Sequence, residues 1–285
     1  MEKRALGSTG VRLSVIGFGG IAVKDTEPDE AGRIVAEAVD RGIDYFDVAP
    51  SYGNAQEKLG PALEPYRSRV FLACKTGQRT AVEARKELEN SLRTLRTDHF
   101  DLYQLHGVTT MEDVETILGP GGALETLVKA REEGLIRFIG FSAHTEEAAL
   151  ALMDRFDFTS VLFPVNWACW LKSGFGRKVL EKAEEKGVAR LALKALAERR
   201  WADGEEKKWP KCWYKPVGSS QEAALALRFT LGKSVTAAVM PSHADLLWWG
   251  CDAAQRWKPL SEAEEEALAR KARDLDAIFP QRPKA

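Results

Sequence analysis

Three short apolar runs in the first 106 residues each stop at a residue that can take part in proton transfer. A tyrosine follows the first of these runs within a few residues. The four residues are Asp47, Tyr52, Lys75 and His106. Each run is rich in strand-forming residues, as expected for a buried parallel strand. Because the carboxyl ends of parallel barrel strands converge on one face, we expect the four side chains to meet there.

Together, these four residue types can perform acid–base chemistry on an oxygen atom. A free tyrosine has a pKa of about 10, and a nearby ammonium group such as that of Lys75 lowers it. Asp47 can pair with Lys75, and His106 can orient a bound oxygen by a hydrogen bond. The pattern predicts proton transfer to a carbonyl oxygen with Tyr52 as the general acid. Taken singly, each residue also fits a structural role, such as a turn cap or a packed ring.

The remaining chain alternates short apolar runs with segments of helical periodicity. Eight strand-then-helix units favour a parallel sheet that closes into a barrel. The predicted strands are 15–20, 43–46, 70–74, 102–105, 136–141, 161–165, 188–193 and 235–240. The sequence therefore predicts an α/β fold, a (β/α)8 TIM barrel with an N-terminal β-hairpin and an extra C-terminal helix over 261–278. We expect one domain over residues 1–285, a loose stretch over 107–122 and a long loop over 195–218.

Composition excludes several classes of function. The chain has 285 residues, a formal charge of −1, 29% charged residues and 45% apolar residues. This composition indicates an ordinary globular protein without nucleic-acid or membrane affinity, and no long apolar stretch follows Met1. The scattered cysteines indicate reduced thiols, a cytoplasmic location and no iron–sulfur cluster or metal; they are Cys74, Cys169, Cys212 and Cys251. We expect a monomer or weak oligomer acting on a small molecule.

The segment from Phe46 to Asn54 resembles the signature of the aldo-keto reductase family. The stretches 4–14 and 139–142 are also similar to that family. Its catalytic tetrad of Asp, Tyr, Lys and His matches the four residues named above, each in its expected order. The similarity is dense up to Asn166 and thin after Lys194. The resemblance implies reduction of an aldehyde or ketone with a nicotinamide cofactor that lies across the barrel mouth without a Rossmann fold.

The resemblance also implies where the cofactor binds. Members of the family generally use NADPH, so we expect NADP(H) over NAD(H). Ser142 is expected to contact the nicotinamide amide. The full set of expected cofactor contacts is Ser142, Asn166, Lys194, Pro241, Ser242, His243 and Asp245. The family often carries a Lys or Arg for the 2′-phosphate after the eighth strand, and this chain has none there. A helix N-terminus at Ser242 and His243 can receive a phosphate instead, whereas Asp245 would repel a 2′-phosphate or bind a free 2′-hydroxyl.

Two other classes of function stay open at this point. Departures from the family pattern at Ala143, Leu162 and Trp248–Trp249 are compatible with a non-catalytic or regulatory nucleotide-binding protein, since a fold does not determine function. A metal-dependent hydrolase is the weaker alternative, because His144 and His243 show no paired-ligand spacing with the other candidates. The substrate and the direction of the reaction stay open, and the late tryptophans fit either an aromatic pocket or loop packing.

Overall fold

The computed structural model describes residues 1–280; the last five residues of the expected domain lie outside the described part. Twelve strands occur in the described residues: β1 Lys3–Ala5, β2 Arg12–Ser14, β3 Ile16–Gly19, β4 Tyr45–Asp47, β5 Phe71–Thr76, β6 Phe100–Val108, β7 Ile136–Ala143, β8 Ser160–Pro164, β9 Ala189–Leu193, β10 Ala197–Arg200, β11 Tyr214–Pro216 and β12 Ala237–Val239. Strands β3 to β9 and β12 are parallel and form a closed barrel in which β12 pairs with both β3 and β9. The predicted (β/α)8 barrel is confirmed.

Helices surround this barrel. They are α1 Pro28–Asp40, α2 Ala55–Leu63, α3 Ala81–Thr94, α4 Met111–Leu118, α5 Ala123–Glu132, α6 Glu146–Arg155, α7 Trp167–Ser173, α8 Arg177–Glu185, α9 Ser220–Leu231, α10 Ala244–Gln255 and α11 Glu262–Asp274. Short 3-10 helices cover Gly20–Val23 and Glu64–Arg69. No helix within residues 1–280 combines the length and the apolar character that a bilayer crossing requires.

Local sequence explains where the helices begin. Thr80 caps α3 by accepting a hydrogen bond from the Glu83 N–H, which supplies a partner for one of the unpaired amides of the first turn. Ser261 and Glu264 form a reciprocal capping box at the start of α11. Pro28 occupies the first turn of α1, where a missing N–H costs nothing. These signals confirm the predicted helix positions to within a few residues.

The N-terminal hairpin closes the floor of the barrel, as predicted. Strands β1 and β2 pair antiparallel, and Leu6 and Leu13 are fully buried against barrel side chains such as Tyr45 and Leu102. Gly7 lies at φ +55°, and a Cβ there would come within 2.8 Å of the Gly187 carbonyl oxygen. Only glycine tolerates that conformation and that close approach without strain. The floor is therefore a packed apolar plug, and the opposite end of the barrel carries the open face.

Two expectations about loops are wrong. The stretch 107–122 contains helix α4, which Thr110 caps and which buries Val114 and Ile117. The stretch 195–218 contains the antiparallel hairpin β10–β11, whose register shifts between Ala197 and Arg199. Neither element has an extended periodic pattern, and both are stabilised by contacts with distant parts of the chain. Helix α7 directly after β8 is a further element that sequence periodicity missed, and α11 ends four residues earlier than expected.

Candidate active site

A cavity of about 220 Å³ opens at the carboxyl ends of the barrel strands. Asp47 ends β4, Lys75 lies near the end of β5, and His106 lies near the end of β6. Tyr52 follows β4 in a turn before α2. All four side chains line the cavity, so the structure brings the predicted group together. A larger groove of about 730 Å³ lies at the opposite end, around the hairpin, and none of the four residues lines it.

Lys75 and Asp47 form a direct ion pair in which both side chains are only 1% exposed. Asp47 also accepts hydrogen bonds from Gln104 Nε2 at 2.9 Å and from the Tyr45 hydroxyl at 3.2 Å. Burial by itself lowers the pKa of Lys75, but the charge of Asp47 and its hydrogen bond outweigh burial and raise that pKa above its ordinary value. Lys75 is therefore a permanently charged ammonium group held in one position.

The Lys75 ammonium contacts the tyrosine. Its Nζ lies 3.3 Å from the Tyr52 hydroxyl and 5.0 Å from the centroid of the ring. Burial raises the pKa of Tyr52, and the Lys75 charge opposes that rise without cancelling it. The net effect is a raised pKa for Tyr52, so the expectation that this pKa falls below its ordinary value is wrong. Lys75 limits the cost of forming the buried phenolate, while Tyr52 keeps its proton at neutral pH.

His106 is the fourth member of the group. Its ring packs edge-on against the Tyr52 ring, with centroids 5.7 Å apart, and its Nδ1 lies 3.4 Å from Ser51 Oγ. Burial, with the Lys75 charge second, lowers the pKa of His106 to about 2. The imidazole is neutral at physiological pH and can serve as a hydrogen-bond donor or acceptor. Its geometry suits the orientation of an oxygen next to Tyr52.

Four of the seven expected cofactor residues line the same cavity: Ser142, Lys194, Pro241 and Ser242. Ser142 Oγ accepts a 2.7 Å hydrogen bond from the Gly107 N–H, so its hydroxyl hydrogen is directed elsewhere. Helix α10 begins behind Ser242 without a side-chain cap. Its first-turn amides can therefore bind an anionic group.

The other three expected cofactor residues do not line the cavity. Asn166 is buried and caps α7: Nδ2 donates to the Lys194 and Ala197 carbonyls, and Oδ1 accepts from the Cys169 N–H. His243 Nε2 accepts a 3.2 Å hydrogen bond from the Lys211 N–H. Asp245 is exposed in the first turn of α10. Asn166 thus has a structural role here.

The stretch that was expected to be a loop adds lining residues that sequence reasoning did not single out as site residues. Lys211, Cys212, Trp213 and Tyr214 approach the cavity from the β10–β11 hairpin. The cluster of aromatic residues was the only sequence signal for them. Other tryptophans pack as scaffold: Trp209 is buried against Trp249, and Trp248 lies 4.9 Å from the Arg41 guanidinium group. Gln104 was also missed, because its partner Asp47 is distant in the sequence.

Metal-ligating residues do not cluster in this structure. No group of three or more His, Cys, Asp or Glu side chains that could hold a metal ion occurs within residues 1–280. His106 and His144 share the cavity, but the one carboxylate among its described lining residues is Asp47. That carboxylate is already engaged by Lys75, Gln104 and Tyr45. Nothing in this geometry favours a hydrolytic metal centre.

Comparison with known proteins agrees with this geometry. The family model described as the aldo/keto reductase family matches residues 15–242. L-galactose dehydrogenase from Arabidopsis thaliana is 27% identical over 252 residues, covering 83% of this chain and 78% of that protein. The uncharacterized oxidoreductase YqkF from Bacillus subtilis is 32% identical over 157 residues, which cover 50% of this chain. That match spans about half the length of the relative, 49%.

Solved structures show the same architecture over the whole chain. The aldo-keto reductase AKR11C1 from Bacillus halodurans in its holo form has a TM-score of 0.76 and 25% identity, and the match covers 99% of both chains. The glycerol dehydrogenase AKR11B4 from Gluconobacter oxydans has a TM-score of 0.72 and 22% identity, with 99% coverage of both chains. The latter similarity shows the fold alone.

Proposed function

This protein belongs to the aldo/keto reductase family, since the family model covers most of the chain, and we propose that it reduces an aldehyde or ketone to an alcohol with Tyr52 as the general acid. NAD(P)H-dependent oxidoreduction of carbonyl compounds is the activity of this family. The observation that carries the proposal is the position of the Lys75 ammonium group between Asp47 and the Tyr52 hydroxyl, beside His106. Fold alone would not support it, because the activity depends on the site.

Each residue has one role in this proposal. His106 holds the carbonyl oxygen next to the Tyr52 hydroxyl by a hydrogen bond. Tyr52 donates its proton to that oxygen as negative charge develops on it, and the product oxygen becomes a hydroxyl group. The tyrosine is left as a phenolate, which the Lys75 charge stabilises. Asp47 holds Lys75 in place and keeps it protonated.

The residues around the cavity fit a nicotinamide cofactor, which supplies the hydride when it is bound. The cavity is rich in positive charge, with lysines 75, 194 and 211 against the single carboxylate of Asp47. The uncapped N-terminus of α10 adds amide donors for a phosphate. Ser142 presents a hydroxyl group near the reacting end for the nicotinamide amide. No residue in this set requires a metal.

We also propose NADPH as the preferred cofactor. Residues 240–249, directly after β12, contain no Lys or Arg, but the fold brings Lys211 to that place: its N–H donates to His243 Nε2, and its Nζ to the Ala22 carbonyl at 3.4 Å. Burial, with the Lys211 charge second, lowers the pKa of His243, so the Lys211 ammonium group acts near the start of α10, and a cation there favours the additional phosphate of NADPH. The exposed carboxylate of Asp245 acts in the opposite direction.

The first experiment is a titration of the purified protein with NADPH and then NADH, followed by tryptophan fluorescence. Tighter binding of NADPH supports the preference, and equal or tighter binding of NADH contradicts it. Absence of binding of both, checked by calorimetry, contradicts the redox function itself.

The second experiment substitutes Tyr52→Phe, which removes the proton and retains the ring. General acid catalysis contributes typically about 10²–10⁴-fold, so we expect turnover of aldehydes to fall by at least that range while the Kd for NADPH changes little. A Tyr66→Phe variant, altered at a half-buried ring outside the cavity, is the matched control. Retention of most of the turnover in Tyr52→Phe would contradict the assignment.

We further propose that the chain acts as a single domain. The eight parallel strands β3 to β9 and β12, which lie between Ile16 and Val239, belong to one closed barrel. Helix α11 packs on α7, where Lys172 Nζ donates to the Arg273 carbonyl at 3.1 Å. A single cooperative thermal transition is expected for such a unit.

A further inference from the structure

Lys194 occupies an unusual position in the catalytic cavity. It directly follows β9 and adopts a left-handed backbone conformation with φ +66°. Residues other than glycine rarely adopt that conformation, and those that do are concentrated at functional sites. Its side chain lines the cavity that contains Tyr52 and His106. Lys194 therefore combines a rare backbone conformation with a side chain in the cavity of the reacting groups.

The Lys194 ammonium group has no countercharge among residues 1–280. Within the described residues its Nζ makes no hydrogen bond or ion pair; it lies 5.5 Å from the Trp213 ring centroid and 5.4 Å from that of Tyr214. The single lining carboxylate, Asp47, is engaged by Lys75. A cation that leaves water without an anionic partner is costly. An anionic ligand would supply the missing partner.

The charge of Lys194 acts at the reacting end of the cavity. It lowers the pKa of both His106 and His144. Burial, together with the Lys75 charge, lowers the pKa of Lys194 itself to about 8, although the Cys212 thiol opposes this shift. Lys194 is therefore mostly charged at neutral pH. By contrast, Lys211 is tied to the Ala22 and Lys24 carbonyls and lies beside α10.

We propose that the substrate is a carbonyl compound that carries a carboxylate group, and that Lys194 binds this carboxylate. The inference rests on the proposed reductase function and adds the substrate class. Trp213, which is 47% exposed, and Tyr214 provide apolar surface for the carbon chain between the two functional groups. Lys194 is thus a specificity-determining residue that binds the end of the substrate remote from Tyr52.

The test compares short oxo acids with their methyl esters in the holoenzyme with NADPH. Glyoxylate, succinic semialdehyde and adipic semialdehyde differ in the distance between the carbonyl and the carboxylate, and each ester removes the charge alone. For at least one acid, we expect kcat/KM to exceed that of its ester. A charge-assisted hydrogen bond accounts for roughly 10- to 100-fold of this ratio. The Lys194→Met variant should lose that factor, mainly through a higher KM for the acid.

The matched control is Lys233→Met. Lys233 also lies over two rings, 4.4 Å from the Phe229 centroid and 5.6 Å from that of Trp170, but it does not line the cavity. Its substitution should leave the acid-to-ester ratio unchanged. A readout without turnover is calorimetry of succinate with the NADP⁺-loaded protein. We expect weaker succinate binding in Lys194→Met than in the control.

The outcomes separate this inference from the proposed function. If aldehyde esters are reduced but Lys194→Met does not change the acid-to-ester ratio, the inference is wrong and the reductase function stands. A loss of NADPH and NADH affinity in Lys194→Met, again with the ratio unchanged, assigns the lysine to the cofactor phosphates and overturns the inference. Cofactor binding without reduction of any compound in the series contradicts the proposed function instead.

Discussion

Replacement of Lys75 by methionine separates the stability of the site from its chemistry. Lys75 and Asp47 are both 1% exposed, so Lys75→Met leaves a carboxylate buried without its cation. Gln104 and Tyr45 still donate to that carboxylate at 2.9 and 3.2 Å, but neither carries a charge. Removal of one partner of a buried pair costs about 3–5 kcal/mol. We expect Lys75→Met to lower the free energy of unfolding by that amount.

The double variant Lys75→Met/Asp47→Asn removes both charges and retains an amide oxygen for the two neutral donors. Uncharged replacements of buried ion pairs are often neutral or stabilising, so the double variant should recover most of the lost stability. It should nevertheless be inactive as a reductase, because no ammonium group stabilises the Tyr52 phenolate. The ion pair would then be retained for chemistry and not for stability.

Urea denaturation followed by tryptophan fluorescence measures these differences, and aldehyde reduction with NADPH measures activity. Lys182→Met is the matched control, since Lys182 pairs with Asp154 at 2.9 Å at the surface, with the side chains 25% and 55% exposed. An exposed pair of this kind contributes at most about 1 kcal/mol. The reasoning would be refuted if Lys75→Met lowered the free energy of unfolding no more than Lys182→Met does. It would also be refuted if the double variant reduced aldehydes.

Two further predictions concern pH dependence and the barrel floor. Because the pKa of unliganded Lys194 lies at about 8, the ammonium group is charged below that pH and neutral above it. KM for the favoured oxo acid should therefore rise about tenfold between pH 7 and 9, whereas KM for the ester should stay constant. A parallel rise in KM for both compounds would contradict the inference. Leu13→Ala removes a fully buried side chain from the floor cluster and should lower the free energy of unfolding by about 2–5 kcal/mol. The Kd of the same variant for NADPH, measured by fluorescence titration, should stay near the wild-type value, and a large loss of affinity would mean that the floor and the open face are coupled.

The barrel and the convergence of the four catalytic candidates could be predicted because both follow from local patterns. Strand residues, helix caps such as Thr80 and the turn at Gly7 are properties of a few adjacent residues. Once eight strand–helix units are recognised, closure of the barrel places strand ends on one face. The positions of Asp47, Lys75 and His106 in the cavity follow from that rule without knowledge of any contact.

The hydrogen-bond partners of the site could not be predicted in the same way. Gln104 is fifty-seven residues from Asp47, and the two meet only because β4 and β6 lie on either side of β5 in the barrel. The β10–β11 hairpin brings Lys211 to His243, thirty-two residues away. A sequence pattern that describes one element at a time contains no information on such pairs. The hydrogen bonds of Asn166 could not be predicted for the same reason, since its partners include residues of the β9–β10 segment.

The sequence by itself determined the residue types at the strand ends, and with them the family and the chemistry that this protein can perform. The tertiary structure alone decided the pKa values of the site residues. Both the desolvation of a side chain and the electrostatic field that acts on it depend on every element that packs around it. Burial outweighs the Lys75 charge at Tyr52 and lowers the pKa of His106 to about 2. The fold places Lys194 over two aromatic rings, with no ion-pair partner within residues 1–280. The same residues in an exposed arrangement would have had nearly ordinary pKa values.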